Sequence, residues 1–326
     1  MIAVVVTEPG GPEKLALKEV PDPEPGPGEL LVRVRAAALN RADLLQRRGL
    51  YPPPAGAPPY LGLEMAGEVL AAGPGASGWQ AGDRVFALLG GGGYAELVAI
   101  PAETALPIPP KLTFEEAAAI PEAFLTAYRN LFELGGLQPG ETVLIQAGGS
   151  GVGTAAIQLA RLAGARVLAT SRSPEKLAGC RALGAEAVFN SREPGLAGRV
   201  LAATGGRGVD VILELVGASF WEDDLAMLAP GGRLLLVGLV GGSRVSCDLG
   251  RLLNGNLHVI GSTLRHQSVP YKAGLARRFW QQYGQAFEHG ELRPVVDSTF
   301  PLEAVADAHR YLESNRNFGK VVLRVP

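Results

Sequence analysis

Residues 141–163 read ETVLIQAGGSGVGTAAIQLARLA, and no other stretch of the chain restricts its fold as tightly. Residues 142–146 are a short apolar, β-branched run of the kind buried on both faces of a parallel sheet. The run leads straight into Gly148, Gly149, Ser150, Gly151, Val152 and Gly153. From Thr154 onward, Ile157, Leu159, Ala160 and Leu162 follow a helical pattern in an Ala-rich context. Strand, glycine turn and helix in that order are the setting of a dinucleotide fingerprint. Such a turn lets backbone N–H groups approach a pyrophosphate, and the helix N-terminus adds unpaired donors and a partial positive charge. Gly148 and Gly153 fill the outer positions of the motif, but Ser150 stands where the middle glycine belongs. Gly149 and Gly151 flank it, and its hydroxyl can itself donate to a phosphate oxygen. A glycine run alone also fits a flexible surface loop; the strand before it and the helix after it favour the nucleotide.

The chain around this motif alternates strand and helix. Strands are expected at 142–146, 166–170, 186–189, 210–215, 232–238 and 257–262, and helices at 152–163, 174–183, 194–204 and 219–229. Ser173 suits an N-cap with Pro174 at the first helical position. This alternation predicts an α/β fold with a doubly wound parallel sheet and the nucleotide across its switch point. Residues 1–118 read differently, as strands at 2–6, 30–36, 65–71 and 94–100 split by Pro/Gly segments at 21–28 and 52–59. Helices are expected at 113–119 and 121–135, and again at 275–288 and 302–314, with a last strand at 320–325. Three segments follow: 1–118, β-rich; 119–261, nucleotide-binding; and 262–326, returning to the first.

With 326 residues the chain is long enough for two domains. Its formal charge of −2 comes without charge blocks, which recommends neither nucleic acid nor an anionic membrane as partner. Two cysteines, Cys180 and Cys247, make neither a disulfide framework nor a four-cysteine zinc site, and a reducing cytoplasm is the default. No basic leader and no membrane-length apolar run is visible.

The second strand of the expected sheet should end beside the adenosine ribose, where an acidic residue selects NAD. Here that place reads Thr170-Ser171-Arg172, with no carboxylate until Glu175. Ser171 and Arg172 can donate to a 2′-phosphate, and Lys176 lies one turn further on. A charge-assisted hydrogen bond of about 1.5–3 kcal/mol corresponds to roughly ten- to hundred-fold preference for NADP. The plainer alternative makes Arg172 and Lys176 ordinary solvated residues at a helix entry.

The four histidines, His258, His266, His289 and His309, are scattered, and neither cysteine has a ligand partner at metal-binding spacing, so no zinc is expected. No nucleophile elbow appears.

Taken together, several segments carry a resemblance: 38–43 (ALNRAD), 49–52 (GLYP), 62–69 (GLEMAGEV), 82–85 (GDRV), 92–96 (GGYAE), 148–153, 214–217 (ELVG) and 319–323 (GKVVL). The whole chain resembles the medium-chain dehydrogenase/reductase superfamily, and within it the zinc-free quinone oxidoreductase branch that includes zeta-crystallin. The resemblance implies a Rossmann nucleotide domain joined to a β-rich, GroES-like catalytic domain. Zinc alcohol dehydrogenases of that superfamily carry Cys where this chain has Asn40 and His where it has Leu63. Without that Lewis acid, a substrate needing little activation fits, such as a quinone or an activated alkene.

By the same resemblance, Asn40, Asp43 and Tyr51 belong to a substrate cleft between the domains. Asn40 would donate to a substrate oxygen, Tyr51 would donate a hydrogen bond or a proton, and Asp43 would orient the loop. The bland alternatives are a turn cap for Asn40, a helix cap for Asp43 and loop packing for Tyr51. Thr126, Val216 and Gly217 would flank the nicotinamide, Gly238 would admit it closely, and Lys176 matches a phosphate-side lysine. Where relatives place a Tyr and an Arg against the 2′-phosphate, this chain has Arg192 and Arg316 nearby but offset. Glu64 matches a retained carboxylate, more often an ion-pair partner than an acid, and Leu45 replaces a second tyrosine. The expected activity is NADPH-dependent quinone reduction, by hydride or single electrons, in a homodimer. The alternative is an NADPH-dependent enone or enoyl-thioester reductase. A third possibility, a non-catalytic nucleotide sensor or RNA-binding protein, is disfavoured by the near-neutral charge.

Overall fold

Apolar residues recurring at every second position, between turn-forming prolines and glycines, make the first hundred residues pair as antiparallel ladders. In a computed structural model, which describes residues 1–326, β1 (Ile2–Val6) pairs with β2 (Leu15–Glu19). Strand β3 (Glu29–Ala38) buries Leu30, Val32 and Val34 while Arg33 faces solvent, and it runs into helix α1 (Arg41–Arg47). Next come β4 (Glu64–Ala72), β5 (Arg84–Leu88), β6 (Leu97–Pro101) and the short β7 (Leu106–Pro107). Helix α2 (Phe114–Ala118) opens with a reciprocal cap: Glu116 N donates to Thr113 Oγ1, and Thr113 N to the Glu116 carboxylate. The helix expected over 121–135 is α3 (Pro121–Tyr128) followed by a π turn, Arg129–Leu134.

The middle of the chain is the expected alternation. It runs β8 (Thr142–Ile145), α4 (Gly151–Leu162), β9 (Arg166–Ser171), α5 (Pro174–Ala182), β10 (Ala187–Asn190) and α6 (Leu196–Ala203). It continues with β11 (Val209–Glu214), α7 (Trp221–Met227), β12 (Leu228–Leu236), α8 (Leu249–Gly255) and β13 (His258–Gly261). All six strands are parallel, in the order β10-β9-β8-β11-β12-β13, so the winding reverses between β8 and β11. That reversal opens the crevice in which sheets of this type bind nucleotides. Leu144, Leu168, Ile212 and Leu234, from four adjacent strands, share one core. One boundary differs from the sequence reading. Helix α7 stops at Met227 and β12 starts at Leu228, because Pro230 cannot continue a helix and Gly231, at φ +76°, bends the chain. Helix α8 had no counterpart in the reading.

Helix α9 (Val269–His289) begins earlier than the expected 275, since Ser268 caps it and Pro270 tolerates the first turn. Then follow β14 (Val296–Pro301), α10 (Val305–Glu313) and β15 (Lys320–Arg324). Strand β15 returns antiparallel to β3, completing a sheet ordered β14-β15-β3-β4-β5-β7 with β6 also on β3. By contact the chain forms two units, Met1–Leu125 with Leu264–Pro326, and Thr126–Thr263. No helix is long and apolar enough to cross a membrane.

Candidate active site

In the second unit the glycine turn is built as its sequence requires. Ala147 takes a left-handed φ of +50°, and its N–H donates to Thr170 Oγ1 while Gly148 N donates to Thr170 O, 2.8 Å away. Ser150 caps α4, its Oγ accepting from Gly153 N at 3.0 Å, which leaves the hydroxyl proton free to donate outward. A Cβ at Gly153 would lie 2.6 Å from Ala147 O, and one at Gly148 would lie 3.0 Å from Cys180 Sγ. Gly153 therefore permits the close approach of helix to turn, the role its place in the motif predicts. Gly149, Gly151 and Val152 complete the turn and the first residues of α4.

Beneath the turn runs a buried polar chain. Thr170 Oγ1 donates to Gln146 Oε1 at 2.6 Å, and Gln146 Nε2 donates to Asp224 Oδ1 at 2.8 Å. Asp224 Oδ2 and Glu214 Oε2 are both buried and meet no donor. Burial raises both carboxyls, and for Asp224 the Glu214 charge adds to it. The other Glu214 oxygen accepts from Val216 N and from Gly217 N. Gly217, at φ +100°, and Gly238 are both places where a Cβ would strike backbone, 2.6 Å from Gly242 O and 2.3 Å from Leu215 O. Gly241 N donates to Val216 O, which interlocks the two turns. The structure thus brings Val216, Gly217 and Gly238 together. Thr126 is buried at the start of this unit, its carbonyl accepting from Asn130 Nδ2.

At the end of β9, Ser171 is buried and Arg172 is exposed, its guanidinium making no hydrogen bond or ion pair. Glu175, the nearest carboxylate in sequence, is held by the Ser173 hydroxyl. Lys176 is partly buried on the first turns of α5. Arg192 is exposed after β10, whereas Arg316 lies in the other unit, stacked 5.2 Å from the Tyr311 ring centroid.

In the first unit, Asn40 and Asp43 are joined by α1. Asp43 is wholly buried: Oδ2 accepts from Asn40 N at 2.7 Å and from the Tyr94 hydroxyl at 3.0 Å, and Oδ1 accepts from Gly62 N. Burial pushes its carboxyl up to about 6, against those hydrogen bonds and the nearby Lys320 charge. Asp43 has no exposed atom. The Asn40 side chain is partly exposed, yet both its polar atoms are engaged: Nδ2 donates to Glu64 Oε1 at 2.8 Å, and Oδ1 accepts from Lys320 Nζ at 2.6 Å. Glu64 and Lys320 form a buried ion pair. Tyr51 lies on the Pro-rich loop. The Arg265 guanidinium lies 5.0 Å from its ring centroid, and the His266 ring meets it edge-on at 5.2 Å. Burial raises the Tyr51 phenol above its ordinary value and Arg265 draws it part way back.

Five residues of the first unit escaped the sequence reading as site residues. Arg265 and Lys272 sit where no motif marks them. Tyr94 and Lys320 lay inside recognised segments without an assigned role. Glu122, just after Pro121 at a helix start, reads as an ordinary first-turn acid. No three His, Cys, Asp or Glu side chains are grouped so as to hold a metal ion.

The chain matches two family models, "Alcohol dehydrogenase GroES-like domain" over residues 26–110 and "Zinc-binding dehydrogenase" over residues 151–278. It is 37% identical to a quinone oxidoreductase of Pseudomonas aeruginosa over 96% of each chain. Some relatives are far longer: it is 34% identical to a polyketide synthase subunit of Mycobacterium tuberculosis, of which it spans 15%. Among solved structures it is similar to an NAD-dependent alcohol dehydrogenase (TM-score 0.90, 38% identity, 100% of both chains). A mycobacterial protein complexed with NADPH matches with a TM-score of 0.90, 33% identity and 99% of both chains. The JamJ enoyl reductase matches with a TM-score of 0.89, 30% identity, and 100% of this chain and 99% of that one.

Proposed function

Because this chain belongs to the medium-chain dehydrogenase/reductase superfamily, in its quinone oxidoreductase branch, we propose that it is an NADPH-dependent, metal-independent quinone reductase. The observation that carries the nucleotide choice is the unpartnered Arg172 guanidinium beside Ser171 at the end of β9, where an NAD-selecting carboxylate would otherwise stand. The turn at 148–153 would take the pyrophosphate on the N-terminus of α4, with the Ser150 hydroxyl donating and Lys176 adding positive charge. Thr126, Val216, Gly217 and Gly238 would accommodate the nicotinamide. Bound there, NADPH supplies hydride.

The remaining chemistry belongs to this chain's side chains. On this reading the substrate oxygen is met by hydrogen-bond donors. Asn40 Nδ2 already donates to Glu64 Oε1 and Ala38 O, so Asn40 serves this site by fixing its geometry, and Tyr51 offers a hydroxyl from the Pro-rich loop. Quinones suit such a site because the ring itself stabilises added electrons. Resemblance to an enoyl reductase favours a second reading, NADPH-dependent reduction of enones or enoyl thioesters with Tyr51 as proton donor. A steady-state screen of NADPH and NADH against quinones, enones and aldehydes tests both. Turnover of NADPH with quinones is expected. Turnover with enones alone, lost in Tyr51→Phe, would move the assignment to the second reading.

The same reading includes a homodimer. The edge strand β13 leaves His258 and Val259 exposed, and Leu239, Val240, Leu249 and Leu253 are exposed nearby in sequence. A second copy pairing along that edge would cover them.

A further inference from the structure

Around the Glu122 carboxyl the first unit collects charges that do not add up to a simple ion-pair network. Glu122 is the second residue of α3, partly exposed, and its backbone N–H donates to Glu64 Oε2 at 2.7 Å. Its own carboxyl oxygens make no hydrogen bond and no ion pair. The groups whose charges act on it come from four elements and two loops: Glu64 on β4, Lys320 on β15, Asp43 on α1, Lys272 on α9, and Tyr51 and Arg265 on loops.

The nearby cations are already committed elsewhere. Lys320 Nζ donates to Leu39 O, Asn40 Oδ1 and Glu64 Oε1, using all three of its protons. Arg265 donates to Gly90 O, Tyr51 O and Gln46 Oε1, and Lys272 Nζ donates to Arg265 O. Asp43 and Glu64 have their oxygens satisfied by donors; Glu122 has none. Glu122 is thus an acid without a protein partner, partly open to water and tied through its backbone to the Glu64 that holds Asn40, and titratable groups so placed concentrate where chemistry is done. Burial, with the Glu64 charge next in effect, pushes this carboxyl from 4.5 up to about 7. The Tyr51 phenol lies above its ordinary value and is a poorer match to neutral pH.

Resting on the reductase reading above, we propose that Glu122 is a catalytic residue: its carboxyl group carries the proton that passes to the substrate carbonyl oxygen during reduction. The carboxyl O–H bond breaks as an O–H bond forms on the substrate oxygen, and the two electrons arrive with the hydride from the dihydronicotinamide. A quinone receiving one hydride and one proton becomes the hydroquinone. An enone becomes the enol, which tautomerises to the ketone. The Glu122 carboxylate then takes a proton from water.

Two measurements decide it. Infrared difference spectra of the nucleotide-free protein, wild type minus Glu122→Gln, should show a protonated carboxyl band that titrates near pH 7; a midpoint near the ordinary 4.5 overturns the proposal. In steady state, wild-type kcat with a quinone should fall above pH 7. Glu122→Gln should be at least ~100-fold slower with that alkaline fall gone, while NADPH affinity by fluorescence titration stays within about twofold. Glu122→Asp, which keeps a titrating acid, should recover part of the rate and the alkaline fall. It also serves, with the wild-type carboxyl titration alone, if the Gln variant does not fold. A Gln variant with wild-type rate and pH profile overturns this inference and leaves the reductase reading standing. A wild type that oxidises NADPH with neither quinones nor enones overturns both.

Discussion

Lys320 Nζ lies 2.7 Å from Glu64 Oε1, with the lysine side chain 6% exposed and the glutamate fully buried. One partner comes from the last strand of the chain and the other from the start of β4, so the pair fastens the C-terminal return to the N-terminal sheet. It also holds Asn40, whose amide bridges the two charges. Removing one partner leaves a buried charge uncompensated, a loss of about 3–5 kcal/mol. Lys320→Met should therefore lower the urea midpoint sharply, and the Lys320→Met, Glu64→Leu double variant should recover much of the loss. Equal losses in the single and double variants would show that the pair contributes packing and not charge balance.

Arg172 meets no protein partner, so its removal should cost the folded protein little, within about 0.5 kcal/mol. Its removal should cost nucleotide recognition more. The Arg172→Ala enzyme is expected to raise the Michaelis constant for NADPH by roughly tenfold or more and to leave that for NADH unchanged. An unchanged NADPH constant would remove this side chain from phosphate recognition.

The nucleotide half of the molecule was legible because its signals are local. A strand of four or five apolar residues, a glycine turn and an Ala-rich helix carry their register in consecutive positions, and β8, α4 and β9 fall within a residue or two of where the sequence places them. The substrate side was legible only in part. Asn40, Asp43 and Tyr51 stand in recognisable segments, but their partners Lys320, Tyr94 and Arg265 come from far along the chain. No periodicity or spacing within a window reports a contact between residues 40 and 320. The helix-capping alternative raised for Asp43 is present at the start of α1, where its carboxylate accepts from Asn40 N, alongside tertiary contacts that the sequence does not encode locally.

Gly153 tests the turn itself. A methyl group there would sit 2.6 Å from Ala147 O and 2.7 Å from Gly148 O, both backbone atoms that cannot rotate away. Gly153→Ala should push α4 from the turn, destabilise by about 1–3 kcal/mol and weaken NADPH binding at least tenfold by fluorescence titration. Binding at wild-type strength would mean that the turn has slack which its backbone geometry does not indicate.

His309 sets part of the response to acid. It is fully buried, its Nδ1 lies 3.1 Å from an Arg47 guanidinium nitrogen, and its Nε2 meets no partner. Burial, with the Arg47 charge added, drops it from 6.5 to about 3, so it stays neutral in the folded protein and takes up a proton only on unfolding. The folded value is the depressed one, so this contribution is complete above pH 6.5 and is lost as pH falls through that value toward 3. The slope approaches about 1.4 kcal/mol per pH unit, or roughly 2 kcal/mol between pH 6.5 and 5. Asp43 acts in the opposite sense. Its folded value of about 6 exceeds its ordinary 3.8, so the folded state regains stability over that interval as pH falls. Comparing variants separates the two contributions. His309→Gln keeps an acceptor for Arg47 without titrating. Between pH 7 and pH 5 it should lose about 2 kcal/mol less than wild type in urea unfolding. Equal losses would place the acid sensitivity on other groups.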